Sequence, residues 1–337
     1  MTHLENRNIV ILLLFLFGIA VTVSSLLLGR FDVSFNEFYL VIKSLFVNNI
    51  ELPAQIETII LHIRLPRVIA AFFVGGTLSL TGAAYQGMFR NPMVSPSILG
   101  VSAGAGFGAA LAILLSLSAF WLQIFSFTFG IAAVAIVYLI SLSVGKRHDK
   151  CLTLILAGMM VSTVFAALIS LLKYVADPYD SLPSIVYWLM GGLSNIELTD
   201  LKYLVAISIP GTIFLTMLGW KLDILSFGDD EANSIGINVD KFRFMVIIIA
   251  TLMTAAAVSI SGIIGWVGLL IPHITRMFVG SKNNVLLPVS FLIGGIFLMA
   301  VDDFSRTVSS MEIPLGITTS LIGAPFFVFV LIKTRKK

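Results

Sequence analysis

Residues 68–88 read VIAAFFVGGTLSLTGAAYQGM, a run of 21 residues that contains no charged side chain. A helix of about 20 apolar residues is long enough to cross the hydrocarbon core of a bilayer. Glycines recur within the run at Gly75, Gly76, Gly82 and Gly87. Small residues at such spacings let transmembrane helices approach one another closely. The stretch therefore predicts a membrane-spanning helix that packs tightly against its neighbours.

The rest of the chain of 337 residues has the same character. Hydrophobic residues make up 58% of it, charged residues 12%, and the mean hydropathy is +1.02. These values lie outside the range of soluble domains. The apolar runs do not alternate with polar residues as the strands of a membrane barrel do. We therefore predict an all-α polytopic membrane protein in which residues 1–337 form one transmembrane domain.

About ten runs are long enough to be spans. Their approximate limits are 9–29, 68–88, 98–117, 121–144, 152–174, 203–220, 244–260, 263–279, 286–301 and 314–332. An even number of spans places both termini on one side of the membrane. If that side is the cytoplasm, 14 of the 21 Lys and Arg residues lie inside, as the positive-inside rule expects. We predict a multi-pass protein of the cytoplasmic (inner) membrane with both termini cytoplasmic.

Several other classes of protein are disfavoured by single features. The run 9–29 exceeds the 7–15 apolar residues of a usual signal peptide, so we expect a retained helix. One cysteine and four scattered histidines favour neither a disulfide nor a metal site, and we expect no metal and no cofactor. The net charge of +3 comes from basic residues at the ends of apolar runs, which indicates topology rather than nucleic-acid binding.

Two polar segments stand out between the apolar runs. Residues 63–67, IRLPR, are expected to open the second span at the outer face, with Arg64 and Arg67 displayed outward. Ordinary anchoring at the membrane interface is the alternative for this segment. In the loop 222–240, Ser226 is expected to cap a short helix that ends at Gly236.

The first turn of this short helix would contain Asp229, Asp230 and Glu231, which suit the positive end of a helix dipole. Such a helix outside the bilayer offers a surface for a partner to hold. A solvated linker is the alternative.

These segments resemble the FecCD-type permeases, the membrane subunits of ATP-binding cassette (ABC) importers for ferric siderophores, haem and cobalamin. The resemblance extends in order from residue 63 to residue 332. The matching blocks are residues 64–67, 79–82, 86–87, 90–92, 96–103, 156–158, 188–191, 226–229, 268–276 and 323–327.

The resemblance implies ten helices, two permease subunits (homodimer or heterodimer) in the lipid bilayer, two cytoplasmic ATP-binding subunits and an extracytoplasmic substrate-binding protein. The implied docking residues for the binding protein are Arg64, Arg67 and Arg306. The loop 221–243 would receive the ATPase, through Ser226, Asp229, Asp230, Glu231, Ala232 and Gly236. The fifth long helix, residues 153–173, and the short outer helix after it, residues 184–192, would face the translocation path between the subunits. The inner gate would lie near Cys151, Leu152 and Thr153.

Two other functions remain as alternatives. A self-contained secondary transporter or channel should carry ionisable residues in mid-span, and the predicted spans contain almost none. An intramembrane enzyme needs a carboxylate pair, a His/Glu cluster or a metal site, and we find no catalytic residues. The glycine-rich segments lack the complete phosphate-binding fingerprint, so ATP hydrolysis would belong to a separate subunit. The resemblance favours an iron(III)-siderophore as the cargo, and the sequence itself does not distinguish it from haem or cobalamin.

Overall fold

A computed structural model describes residues 2–29, 31–44, 47, 54–144, 150–194 and 196–334. These residues form fifteen α-helices and contain no strand. The helices are α1 (Thr2–Leu27), α2 (Phe35–Ser44), α3 (Ala54–Glu57), α4 (Leu65–Phe89), α5 (Val101–Leu114), α6 (Ala119–Val144), α7 (Lys150–Val175), α8 (Ser181–Leu189), α9 (Leu198–Met217), α10 (Gly219–Leu225), α11 (Asp229–Ser234), α12 (Val239–Ser261), α13 (Val267–Val279), α14 (Asn283–Thr307) and α15 (Leu315–Thr334).

Each of the ten predicted spans coincides with one of the ten longer helices in the bundle. Seven helical segments of the described chain are long and apolar enough to cross a membrane, and α5, α13 and α15 supply shorter apolar segments. The predicted fold class, an all-α polytopic membrane protein, is therefore confirmed. The short helices α8, α10 and α11 lie between the long ones, and we name the two ends of the bundle the α8 end and the α11 end.

The helical segment of the second span begins earlier than predicted. A π-helical segment, Thr58–Arg64, joins α3 to α4, so the chain is helical without a break from Ala54 to Phe89. Pro66 has no N–H to donate to the helix. The residue before it, Leu65, donates its N–H to the carbonyl of Ile60, five residues back, as in a π turn. The α-helix itself begins at Leu65 with Pro66 in its first turn, as the sequence predicted, and the π segment and α3 extend the helical segment back to Ala54.

Helix α4 forms the centre of the bundle and packs against α12, α13 and α14. Its glycines lie where other backbones come closest. A Cβ atom at Gly75 would overlap the carbonyl of Gly294 in α14, and one at Gly82 would overlap the carbonyl of Gly268 in α13. The predicted close packing through small residues is confirmed at these two crossings.

Candidate functional site

The arginines of the α8 end are buried, contrary to the outward display that the sequence suggested. Arg64 is 3% exposed, and its guanidinium donates to the carbonyls of Leu26, Leu27 and Phe31 at 2.8, 2.6 and 2.5 Å. These carbonyls follow the last turn of α1 or lie in it, where no intrahelical donor is available. Arg64 thus caps the C-terminal end of α1.

Arg67 joins α4 to α14 and to the loop before α15. It is 7% exposed, and its Nε and Nη2 donate to the Asp302 carboxylate at 2.8–3.1 Å. Its Nη1 donates to both oxygens of Glu312 at 3.0 Å. A buried guanidinium with two carboxylate partners has its charge compensated and its donors used.

Arg306 forms a second buried pair beside the first. It is 5% exposed, donates to Asp303 of the same helix, and donates to the Ser25 carbonyl in α1 at 2.5 Å. Ser25 in turn donates its hydroxyl to Asp303 at 2.6 Å. All three predicted docking arginines therefore have partners within the chain. Their predicted exposure is wrong because a cation at the end of a transmembrane bundle is costly to bury unless it is paired.

Three acidic residues of this cluster were missed at the sequence level. Asp302 and Asp303 directly follow the apolar run 286–301, and Glu312 lies in the next loop. An acidic pair at the end of an apolar run was the available signal for a buried arginine partner. Glu312 is 27% exposed and is the most accessible carboxylate of the three.

The short helix α8 is connected to this cluster through side chains and backbone. Glu312 accepts the Ser194 hydroxyl at 2.8 Å, and Ser194 lies 3.2 Å from the Tyr187 hydroxyl of α8. The backbone beyond α8 also bonds to α15, with the Leu315 N–H on the carbonyl of Gly191 at 2.9 Å. The position of α8 therefore depends on the loop that contains Glu312.

At the α11 end, the polar loop contains two short helices, α10 and α11. Ser226 does not cap α11, as the sequence suggested. Its hydroxyl donates back to the Asp223 carbonyl at 2.6 Å, and Gly228, at φ 139°, is the N-cap residue. Gly236 follows the helix at φ 88°, a left-handed conformation that favours glycine, so the predicted helix end is confirmed.

Ion pairs fix α11 to the transmembrane helices. Both oxygens of Asp229 accept from Arg243 of α12 at 2.8 Å, and Arg90 beyond α4 lies 3.4 Å from the same carboxylate. Ala232 is fully buried beneath the helix. Asp230 and Glu231 project outward as the sequence predicted.

Two apolar side chains flank α11, and the sequence reading did not single them out. Phe227 is 78% exposed and Ile235 is 65% exposed. Exposed apolar residues beside a polar helix are typical of a surface that a protein partner covers.

The predicted gate residues at the start of α7 point in different directions. Cys151 and Thr153 are buried against the bundle, whereas Leu152 is exposed. Leu152 begins an exposed stripe that continues through Leu156, Met160 and Val164. Among the described residues, no group of three or more His, Cys, Asp or Glu side chains could hold a metal ion.

Comparison with known proteins identifies the architecture. The chain matches the model of the FecCD transport family over residues 9–333. It is 40% identical over 284 residues to the molybdate import system permease protein MolB of Haemophilus influenzae, covering 84% of this chain and 83% of that protein.

Two further similarities extend over almost the whole chain. An iron chelatin transport system permease protein of Helicobacter pylori is 38% identical over 314 residues, covering 92% of this chain and 94% of the relative. The solved inward-facing structure of a metal-chelate type ABC transporter superposes with a TM-score of 0.85 at 37% identity, covering 96% of this chain and 99% of the other. With its helical bundle, its exposed α11 and this coverage, the chain belongs to the FecCD transport family of ABC importer permeases.

Proposed function

We propose that this permease imports a ferric siderophore across the cytoplasmic membrane in a complex with a second permease subunit, two ATP-binding subunits and a substrate-binding protein. The observation that carries the importer assignment is α11, a short exposed helix fastened to the membrane bundle. The ferric cargo is supported by the similarity to the iron chelatin permease. Asp229 transmits any displacement of α11 directly to Arg243 of α12 through two hydrogen bonds of 2.8 Å. A rigid attachment of this kind suits a helix on which an ATPase pushes.

The α11 end is assigned to the cytoplasm in this proposal. Arg90, Lys150, Lys241 and Arg243 all lie at this end, in agreement with the positive-inside rule. An ATPase would then contact Asp230 and Glu231 as well as the apolar side chains of Phe227 and Ile235. Both termini would lie on the same side.

The α8 end is assigned to the binding protein. Arg64, Arg67 and Arg306 organise this surface from beneath, and Glu312 forms its accessible edge. A carboxylate of the binding protein that reaches Arg67 must replace Glu312, and that exchange would free Ser194 and the segment after α8. Docking would in this way reach α8, the short outer helix that the family resemblance places beside the translocation path.

The docking proposal can be tested by measuring association of the reconstituted complex with its binding protein. Glu312→Gln weakens the Arg67–Glu312 pair, with which a carboxylate of the binding protein would compete, and should raise the association rate. Arg67→Gln should weaken the complex mainly by raising its dissociation rate, because Arg67 is buried and truncating a buried charge partner acts on dissociation more than on encounter. Asp200→Asn, at the same end and hydrogen-bonded to Gln123 instead, is the control. Equal association and dissociation rates for all three variants would exclude Arg67 and Glu312 from docking.

The translocation path is assigned to the exposed stripe of α7, with Cys151, Leu152 and Thr153 near its inner gate. The stripe is apolar and is not covered by any of the described residues, which suits a helix that faces a second permease subunit across a pathway. The buried ionisable residues of α14 lie in its last turns and not in mid-span. This position favours an importer driven by a partner over a self-contained ion-coupled carrier.

The cargo can be identified with the intact complex. Its relatives include a permease named for molybdate and one named for iron chelatin. These are chemically distant, since one is a small oxyanion and the other a large chelate. We expect proteoliposomes to accumulate a ferric siderophore on addition of ATP, with no accumulation of molybdate, haem or cobalamin. Uptake of molybdate alone would overturn the siderophore assignment and leave the permease assignment intact.

A further inference from the structure

Helix α2, at the α8 end, presents apolar side chains that no described part of the chain covers. Phe35, Tyr39 and Ile42 are exposed, Phe35 at 69% and Tyr39 at 54%. Their spacing of i, i+4 and i+7 places them on one stripe of the helix. A polar stripe that contains Asn36 and Lys43, both exposed, runs beside it. The proposed transport mechanism uses neither stripe.

The helix is firmly formed and holds one orientation. Ser34 and Glu37 make a capping box at its start: the Glu37 N–H donates to the Ser34 hydroxyl at 3.2 Å, and the Ser34 N–H donates to the Glu37 carboxylate at 2.8 Å. On another face of α2, Val41 is fully buried in a small apolar core with Ile56 of α3 and Ile60 of the π segment. The exposed stripe is therefore a stable feature of the surface.

Arg64 fixes the level of α2 relative to the bundle. It donates to the carbonyl of Leu27, at the end of α1, and to the carbonyl of Phe31, just before α2. Only 17% of the apolar span of α1 is buried by the described residues, so this helix faces acyl chains. Leu28 and Phe31 are exposed as well, and they continue the apolar surface of α1 along the chain toward α2. Helix α2 thus begins where α1 leaves the hydrocarbon core.

Two protein partners for the stripe are disfavoured by position and charge. Helix α1 packs against α4, α13 and α14, whereas α7 packs against α5 and α6. The stripe of α2 therefore lies away from the exposed stripe of α7, which the proposed function assigns to the second subunit. Residues 31–44 contain Asp32, Glu37 and Lys43, a formal charge of −1. A segment so nearly neutral has no field to steer a soluble partner.

We propose that α2 lies in the membrane interface at the α8 end, with Phe35, Tyr39 and Ile42 inserted between lipid headgroups and Asn36 and Lys43 directed toward water. An amphipathic helix of this kind inserts its apolar face about 5–10 Å into the boundary of headgroups and acyl chains. Tyrosine is enriched at this depth, and lysine reaches from it to the headgroups. Apolar burial supplies the binding, so a zwitterionic lipid is sufficient. The assignment to the outer leaflet rests on the proposed function; the insertion itself does not.

The test is fluorescence quenching of the full chain reconstituted in phosphatidylcholine vesicles. In a Cys151→Ser background, Tyr39→Cys and Asn36→Cys each receive the same fluorophore, so that the two stripes of one helix are compared. Phosphatidylcholine brominated near the headgroup end of its acyl chains should quench the label at Tyr39→Cys several-fold more than the label at Asn36→Cys. Aqueous iodide should give the reverse order. Phe35→Cys repeats the measurement at a second position of the apolar stripe, outside the small core of Val41.

Two results would overturn the proposal. Quenching of Tyr39→Cys and Phe35→Cys by iodide and not by the brominated lipid would leave the stripe in water, free for a soluble protein. Protection of both labels from both quenchers would place the stripe against a second copy of the chain. Because neither transport nor a partner subunit is involved, failure of the siderophore assignment would leave the result standing.

Discussion

At the scale of single residues, the α8 end depends on charges that compensate one another inside the bundle. Arg67 and Asp302 are both almost fully buried, and 235 residues of sequence separate them. Removing one member of a buried ion pair costs far more than removing an exposed charge, because the other member remains buried without compensation. The two carboxylates that bind Arg67 therefore allow the cost of losing a buried partner, Asp302, to be compared with that of losing a partly exposed one, Glu312.

Asp302→Asn should lower the free energy of unfolding by about 3–5 kcal/mol, since it leaves Arg67 partly uncompensated in the interior. Glu312→Gln should cost about 1 kcal/mol, since this carboxylate is partly exposed and its amide replacement can still accept a hydrogen bond. Thermal unfolding of the two variants in the same detergent measures the difference. Equal midpoints would mean that the burial of the pair does not determine its contribution.

A second residue-scale prediction concerns the crossing of α4 and α13. Gly82→Ala should destabilise the chain by about 1–3 kcal/mol, because a methyl group there overlaps the backbone of Gly268. Gly87→Ala lies in the same helix with its nearest neighbour, Asn283, at 3.5 Å, and should be neutral or slightly stabilising. Thermal unfolding again provides the measurement. A greater loss for Gly87→Ala would contradict the packing described at Gly82.

At the scale of an element, α11 is short and depends on its backbone bonds and its ion pair. The Ala232 N–H donates to the Gly228 carbonyl at 3.2 Å, and this bond forms the first turn of the helix. Asp230 lies in that turn, where an N–H has no partner within the helix. Proline should therefore have different effects at these two positions.

Ala232→Pro should break α11, at a cost of about 3 kcal/mol, and uncouple ATP hydrolysis from uptake while the chain remains inserted. Asp230→Pro removes no intrahelical bond, so it should leave α11 formed and lower uptake only as far as the Asp230 carboxylate contributes to the ATPase contact. ATPase stimulation and uptake are measured together in proteoliposomes that contain the partner subunits. Normal coupling in Ala232→Pro would show that α11 does not transmit the ATPase stroke.

At the scale of the whole molecule, the predictable part of the structure was set by local properties. Ten apolar runs gave ten helices, and the closely spaced glycines of α4 lie at helix crossings. The burial of Arg64, Arg67 and Arg306 could not be read locally, because their partners are in α1, α14 and the loop before α15. The cap of α11 was misplaced by two residues because Ser226 bonds backward to Asp223 instead.

The chain has no complete phosphate-binding loop in its sequence. We therefore expect the purified chain alone to show neither ATP binding nor hydrolysis. Both activities should appear only when its ATPase partner is added. Equilibrium binding of a fluorescent nucleotide and release of phosphate measure the two activities. Saturable nucleotide binding by the chain alone would contradict the assignment of energy coupling to a separate subunit.

The last prediction concerns how two permease subunits assemble. It rests on the exposed stripe of α7, which includes Met160. Cys151 is the single cysteine, so Cys151→Ser provides a background without thiols. In that background Met160→Cys should form a disulfide between two copies if the permease is a homodimer facing itself across α7. Ile136→Cys, exposed on α6, should form no disulfide between subunits, because α6 would face lipid. Mild oxidation in native membranes, followed by non-reducing electrophoresis, distinguishes these outcomes. Cross-linking at Ile136 and not at Met160 would place the subunit interface on α6 and move the translocation path away from α7.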